Sequence, residues 1–143
     1  MNPSCPCAGG KYLIRDMQSK LFIALNNGVL GLHTLPTDHP ANYDLGPYWN
    51  CVEKNNMWFG LKNTVSGGFI TSNNFGGCDA MDLNHEAKQS FCPRHQPDGG
   101  YVLLFRSGER LSPLSVVGMD KKKLEFKHGD KGASWEFIRV DSL

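Results

Sequence analysis

Three histidines recur at matched places along the chain: His33 in "LGLH", His85 in "DLNHE" and His128 in "EFKHG". Imidazole donates, accepts or takes a proton near neutral pH. His85 also has two carboxylates close by in sequence, Asp82 and Glu86. A histidine and a carboxylate brought together across loops would do general acid–base work. His85, His33, Asp82 and Glu86 are therefore the catalytic candidates if the chain is an enzyme. The reaction would then be that of a small isomerase, cyclase or hydrolase acting on an apolar metabolite without metal or cofactor. Turn chemistry accounts for the same recurrence, because a repeated scaffold repeats its solvent loops as readily as its sites.

A second set of residues suits recognition. A sugar site needs an aromatic face for the apolar side of the ring and amide or carboxylate groups for the hydroxyls. Tyr48 and Trp58 offer faces, and Asn73, Asn74, Asp79, Asp82, Asn84 and His85 offer hydrogen bonds. The stretch "PTDHPANYDLGPY", Pro36 to Tyr48, carries three prolines, His39 and two tyrosines, and reads as a stiff surface loop or a binding lip.

Other chemistry finds little support. The five histidines form no H-E-x-x-H, and Cys5-Pro6-Cys7 has no second cysteine pair at zinc-ribbon spacing, so no metal is expected. "VSGGFITSNNFGG" lacks the Lys-Ser/Thr of a phosphate loop, and there is no G-x-S-x-G elbow. Net charge is +1 over 143 residues, which supplies no field for nucleic acid or an anionic membrane. Lys121, Lys122 and Lys123 make one short cationic run at a hairpin tip, read as a solvated turn. Five cysteines without framework spacing, behind an amino terminus that does not read as an export signal, point to reduced thiols and a cytoplasmic protein.

The elements that must position these residues are strands. Short alternating runs bounded by Gly, Asn, Asp and Ser recur throughout, and no window sustains helical periodicity. The runs fall into a four-strand unit that occurs three times. Its first strand carries Tyr12 and Ile14, then Phe59 and Leu61, then Leu103 and Phe105, each pair on one face. A cation follows each pair (Arg15, Lys62, Arg106), and then a polar turn residue able to bond local backbone (Asp16, Asn63, Ser107). Second strands centre on Phe22, Ile70 and Leu111. Third strands carry Leu30 with Leu32, Met81 with Leu83, and Leu124 with Phe126. The fourth opens on Trp49, Phe91 or Trp135.

Ile14, Leu61 and Phe105 lie 47 and 44 residues apart, and Trp49, Phe91 and Trp135 lie 42 and 44 apart. Such a period also describes propeller blades, but a propeller needs at least about four of them. Three units closing a sheet on itself around a pseudo-threefold axis make an all-β β-trefoil, with repeats at about 11–54, 57–96 and 101–140 in one domain of 10–143 and a mobile tail at 1–9. Pro93 in the second fourth strand cannot donate to a ladder, which predicts an edge or a break there.

"GGFITS" and "SWEFIRV" resemble the Gly-Lys-Tyr-Leu and Trp-x-x-Phe signatures of fascin-like trefoils, over about Gly10 to Val140. That resemblance implies the trefoil fold. It also suggests actin as a partner, but cross-linking needs several trefoils in tandem or a dimer, and the matching positions are core residues, so no actin contacts carry over. The expectation is a non-enzymatic, lectin-like module, a monomer or weak dimer, binding a carbohydrate or a protein, with a small-molecule substrate as the enzymatic alternative. The Gln-x-Trp triplet of ricin-type lectins is absent.

Overall fold

The computed structural model describes residues 3–35, 45–54, 58–73 and 77–140. Among them the first repeat forms β1 (Lys11–Asp16), β2 (Phe22–Asn26), β3 (Val29–His33), the two-residue β4 (Leu45–Gly46) and β5 (Trp49–Lys54). The second forms β6 (Trp58–Asn63), β7 (Phe69–Ser72), β8 (Cys78–Asp82), a 3-10 turn at Ala87–Gln89 and β9 (Phe91–His95). The third forms β10 (Tyr101–Ser107), β11 (Arg110–Val117), β12 (Lys123–Phe126) and β13 (Trp135–Arg139).

First and fourth strands close a ring of six. β1 pairs with β13 and β5, β5 with β6, β6 with β9, β9 with β10, and β10 returns to β13, every pair antiparallel. Hairpins β2–β3, β7–β8 and β11–β12 cap the ring, and β3, β8 and β12 meet pairwise about the axis. The Leu32 N–H donates to the Lys122 carbonyl at 3.0 Å, and Gly77 bridges Glu125, tying the cap together. This is a β-trefoil. No helix among the described residues is long and apolar enough to cross a membrane.

The expected inward residues Ile14, Leu61 and Phe105 are all in the core, with Tyr12, Leu103, Phe137 and the aromatic trio Trp49, Phe91 and Trp135. Each large side chain taken fully from water contributes about 1.5–3 kcal/mol. Asp16 and Asn63 perform the turn chemistry expected of them. The Asp16 carboxylate accepts the Ser19 N–H at 3.1 Å and the Ser19 hydroxyl at 2.7 Å, and Asn63 Oδ1 accepts the Val65 N–H at 3.0 Å.

Several positions differ from the sequence reading. Leu111 is exposed, and the core place in the third repeat belongs to Leu114. Phe22 packs in a separate small cluster with Leu13 and Ile138, while Ile23 faces the core. Ile23, Ile70 and Leu114 each follow the turn residue by seven places, so counting from Asp16, Asn63 and Ser107 gives the right set. Met81 and Leu83 are exposed at 76% and 68%, and Ala80 points inward instead. The pairing of β7 with β8 slips by one residue between Phe69 and Thr71, and a one-residue slip exchanges the faces of a strand. Pro93 does not break β9, which runs intact along β10 with Pro93 opposite Leu103; on its other flank β9 meets β6 only at Phe91.

Residues 3–9, expected as a mobile tail, lie against the barrel. Ser4 bridges Phe137, Pro6 is buried, and the Gly9 N–H donates to the Cys51 carbonyl at 2.8 Å. The cause is Tyr12, whose ring is wholly buried and whose hydroxyl must find partners. It accepts the Cys7 N–H at 2.9 Å and donates to the Cys5 carbonyl at 3.1 Å. Burial, then the bond to Cys7, pushes the phenol up to about 12.

Candidate functional site

The recurrent cations of the first strands each sit over an aromatic ring. Arg15 lies 5.9 Å from the Phe22 ring centre and Lys62 lies 5.9 Å from that of Phe69, in both cases the residue six places past the turn residue. Those rings stand directly across the hairpin from their cations, but in the third repeat the residue across from Arg106 is Leu111, and Pro113 faces Leu104. Deprived of its own ring, Arg106 turns to the second repeat and stacks on Trp58, with its guanidinium carbon 4.8 Å from the ring centre. A break in the threefold pattern thus brings an arginine and a tryptophan together across a repeat boundary.

Around this pair lies a cleft of about 260 Å³ lined by Lys54, Trp58, Glu86, Ala87, Ser90 and Arg106. Trp58 opens β6 directly opposite Lys54 and is only half-buried. The Lys54 ammonium donates to the His85 carbonyl at 2.6 Å. Glu86 and Ser90 flank the 3-10 turn: the Glu86 N–H donates to Gln89 Oε1 at 2.8 Å, and the Ser90 hydroxyl to the Glu86 carbonyl at 2.7 Å. The Arg106 N–H donates to the Ser90 carbonyl at 2.9 Å, which pins this wall to β10. The arrangement offers a flat apolar face, a carboxylate and two cations at the surface, with the buried Ser90 hydroxyl already donating to Glu86 behind them.

A larger cleft, about 520 Å³, opens where the third repeat meets the first, between the Asp16–Ser19 turn and residues 130–134. No aromatic side chain lines it, and its Asp16 carboxylate is occupied by Ser19. The smaller cleft is therefore the better candidate for recognition.

Of the expected ligand residues, Trp58 lines the cleft and His85 lies just behind it. Tyr48 does not join them: Trp49 pairs with Asn63 and Lys54 with Trp58, so Tyr48 and Trp58 stand at opposite ends of the β5–β6 hairpin. Tyr48 packs beside Leu13, Phe22 and Ile138. Asn73, Asp79 and Asp82 make turn bonds, accepting from the Gly77, Met81 and Asn84 N–H groups at 2.9, 3.2 and 3.0 Å. Asn84 is exposed, and Asn74 lies outside the described residues, as do 36–44 of the proline-rich stretch.

The acid–base set is not assembled. His85 stacks on Phe69, with ring centres 5.2 Å apart, and is pressed over Gly60, where a Cβ would come within 2.9 Å of its Nε2. That nitrogen is buried without a hydrogen-bond partner, although the Phe59 backbone is near enough to oppose the effect of burial. Burial first, and Lys54 besides, hold the imidazole below its ordinary pKa. The second oxygen of Asp82 accepts from Gln89 Nε2 at 3.1 Å and not from His85. Glu86 faces the cleft. His33 ends β3 opposite Phe22, its pKa lowered by burial and by Lys122, and His128 is exposed. Buried Cys51 is pushed up to about 12 by the same desolvation, with smaller contributions from Cys7 and Glu53.

Sequence reasoning missed Arg106, Lys54 and Ser90 as site residues. The available signal was the two-residue turn at Gly108 and Glu109, which sets aliphatic Leu111 opposite Arg106 where the other repeats set Phe22 and Phe69 opposite their cations.

No protein-family model and no curated protein sequence matches the chain. Solved structures do. Cry35Ab1 superposes with a TM-score of 0.75 at 12% identity, covering 96% of this chain and 38% of that one. SeviL, solved bound to asialo-GM1 saccharide, gives 0.69 at 13% identity over 95% of this chain and 100% of its own. The designed threefold-symmetric protein ThreeFoil gives 0.67 at 15%, covering 92% and 99%. The chain thus spans well under half of Cry35Ab1 but the whole of SeviL, and what it shares with all three is the β-trefoil fold.

Proposed function

We propose that the chain is a non-enzymatic recognition module whose Trp58 cleft receives a saccharide. The observation that carries this reading is the half-exposed indole held between Arg106 and the Glu86–Ser90 wall. A pyranose presents an apolar face to an aromatic ring and hydroxyls to carboxylate and cationic groups, and this cleft brings Trp58 together with Glu86, Lys54 and Arg106. SeviL, a trefoil end to end and solved with a saccharide, lends the reading support by likeness of fold. Against the acid–base alternative stands the separation of His85 from both of its expected carboxylate partners. The fascin-like signatures fall on Gly68, Phe69, Trp135 and Phe137, whose tight packing explains them without actin. We further propose a reducing compartment, where the five unpaired cysteines stay free, and a monomer or weak dimer.

Glycan-array profiling followed by calorimetric titration of the best hit tests the reading. Binding lost in Trp58→Ala, with the melting temperature kept, supports it. Array silence, or binding untouched by that substitution, overturns it.

A further inference from the structure

The Trp58 cleft carries more positive than negative charge, and among the described residues no ion pair neutralises it. Lys54 directs its ammonium at a neutral carbonyl, and Arg106 lies on a ring. Among the described residues neither forms an ion pair with Glu86. The equivalent cation of the first repeat is treated differently: Arg15 Nε meets Glu136 at 3.1 Å. Glu136 stands directly opposite Arg15 across the β1–β13 ladder, whereas Arg106 is met on the β9 side by Ser90, and Cys92 stands opposite Leu104. No carboxylate therefore answers Arg106 from β9, and among the described residues that arginine keeps its fork of N–H donors for something else.

Resting on the saccharide reading above, we infer that this cleft selects carboxylated sugars, of uronic or sialic acid type. A guanidinium matches a carboxylate with two parallel hydrogen bonds, and stacking on Trp58 fixes its plane before the ligand arrives. Lys54 adds a second positive charge on the same rim. Glu86 serves the opposite end of the ring: it accepts from hydroxyls and repels the ligand's own carboxylate, so the sugar enters in one orientation.

The test is calorimetric titration of trigalacturonic acid against its methyl ester, and of 3′-sialyllactose against lactose, with the unaltered protein, Arg106→Gln and Trp58→Ala. The expected result is an acid form bound about tenfold more tightly than its neutral counterpart. That advantage, read as the ratio of acid to neutral affinity within each protein, should shrink as salt is raised and fall to about one in Arg106→Gln. Which of the two acids wins identifies the source of the carboxylate. Equal affinity for acid and neutral forms, both lost in Trp58→Ala, overturns the inference and leaves the saccharide reading standing. An acid preference that survives Arg106→Gln also overturns it. Failure of all four probes, together with a silent array, overturns both.

Discussion

The indole N–H of Trp49 donates to the carbonyl of Ile23 at 2.9 Å, joining the fourth strand of the first repeat to its second. Trp135 repeats the contact with Leu114 at 3.3 Å, and Phe91, which has no donor, stands in the second repeat. Trp49→Phe should therefore fit sterically while leaving a buried carbonyl short of its partner, at a cost of about 1–3 kcal/mol. Urea unfolding measures it; a change below a few tenths would mean that the bond is not a structural tie.

Tyr12→Phe removes the hydroxyl that holds Cys5 and Cys7. Global stability should fall by about 1 kcal/mol. Amide exchange within residues 3–9 should rise far more than exchange in β1. Uniform acceleration along the chain would show that the clamp does not act locally.

Stability should decline on acidification. His85 and His33 both titrate lower in the folded state than in the unfolded chain, because burial disfavours the imidazolium. The unfolded chain then binds more protons once the pH drops below about 6.5. The contribution is complete above that value and is lost as the pH falls through the folded-state values. Denaturation midpoints between pH 7.5 and 5 should slope downward, and His85→Leu should flatten the slope. An unchanged slope in a variant lacking both histidines would assign it to carboxylates.

Gly68 faces the Ala80 carbonyl oxygen so closely that a Cβ would lie 1.9 Å from it. The obstacle is backbone and cannot swing aside. Gly68→Ala should cost more than the about 1–3 kcal/mol of ordinary overpacking, whereas Gly28→Ala, in open space but at a φ of 82°, should cost about 1 kcal/mol through backbone strain alone. Paired thermal melts of the two variants distinguish these cases.

The fold was legible in the sequence because a closed sheet needs one inward residue at each matched position, and Ile14, Leu61 and Phe105 keep that spacing. Register inside the second and third hairpins was not. Periodicity cannot reveal a slip such as that between Phe69 and Thr71, which traded Met81 for Ala80. Nor does it show that a two-residue turn at Gly108 and Glu109 lengthens β11 and moves the buried leucine from 111 to 114. The site was half legible. Trp58 announces itself by type, but Arg106 looks like one of three interchangeable cations until Leu111, and not a ring, is found opposite it. The carboxylates and amides of "NNFGGCDAMDLN" look like ligands by composition, yet Asn73, Asp79 and Asp82 are bound up in their own turns.

Because the six strands return upon themselves, no third of the molecule owns a complete wall. A fragment missing β10 to β13 would leave β1 and β9 each with a raw flank of unsatisfied amides and carbonyls. Two neighbours in the same state would complete one another, so an excised repeat is better viewed as an unfinished assembly subunit than as a small protein.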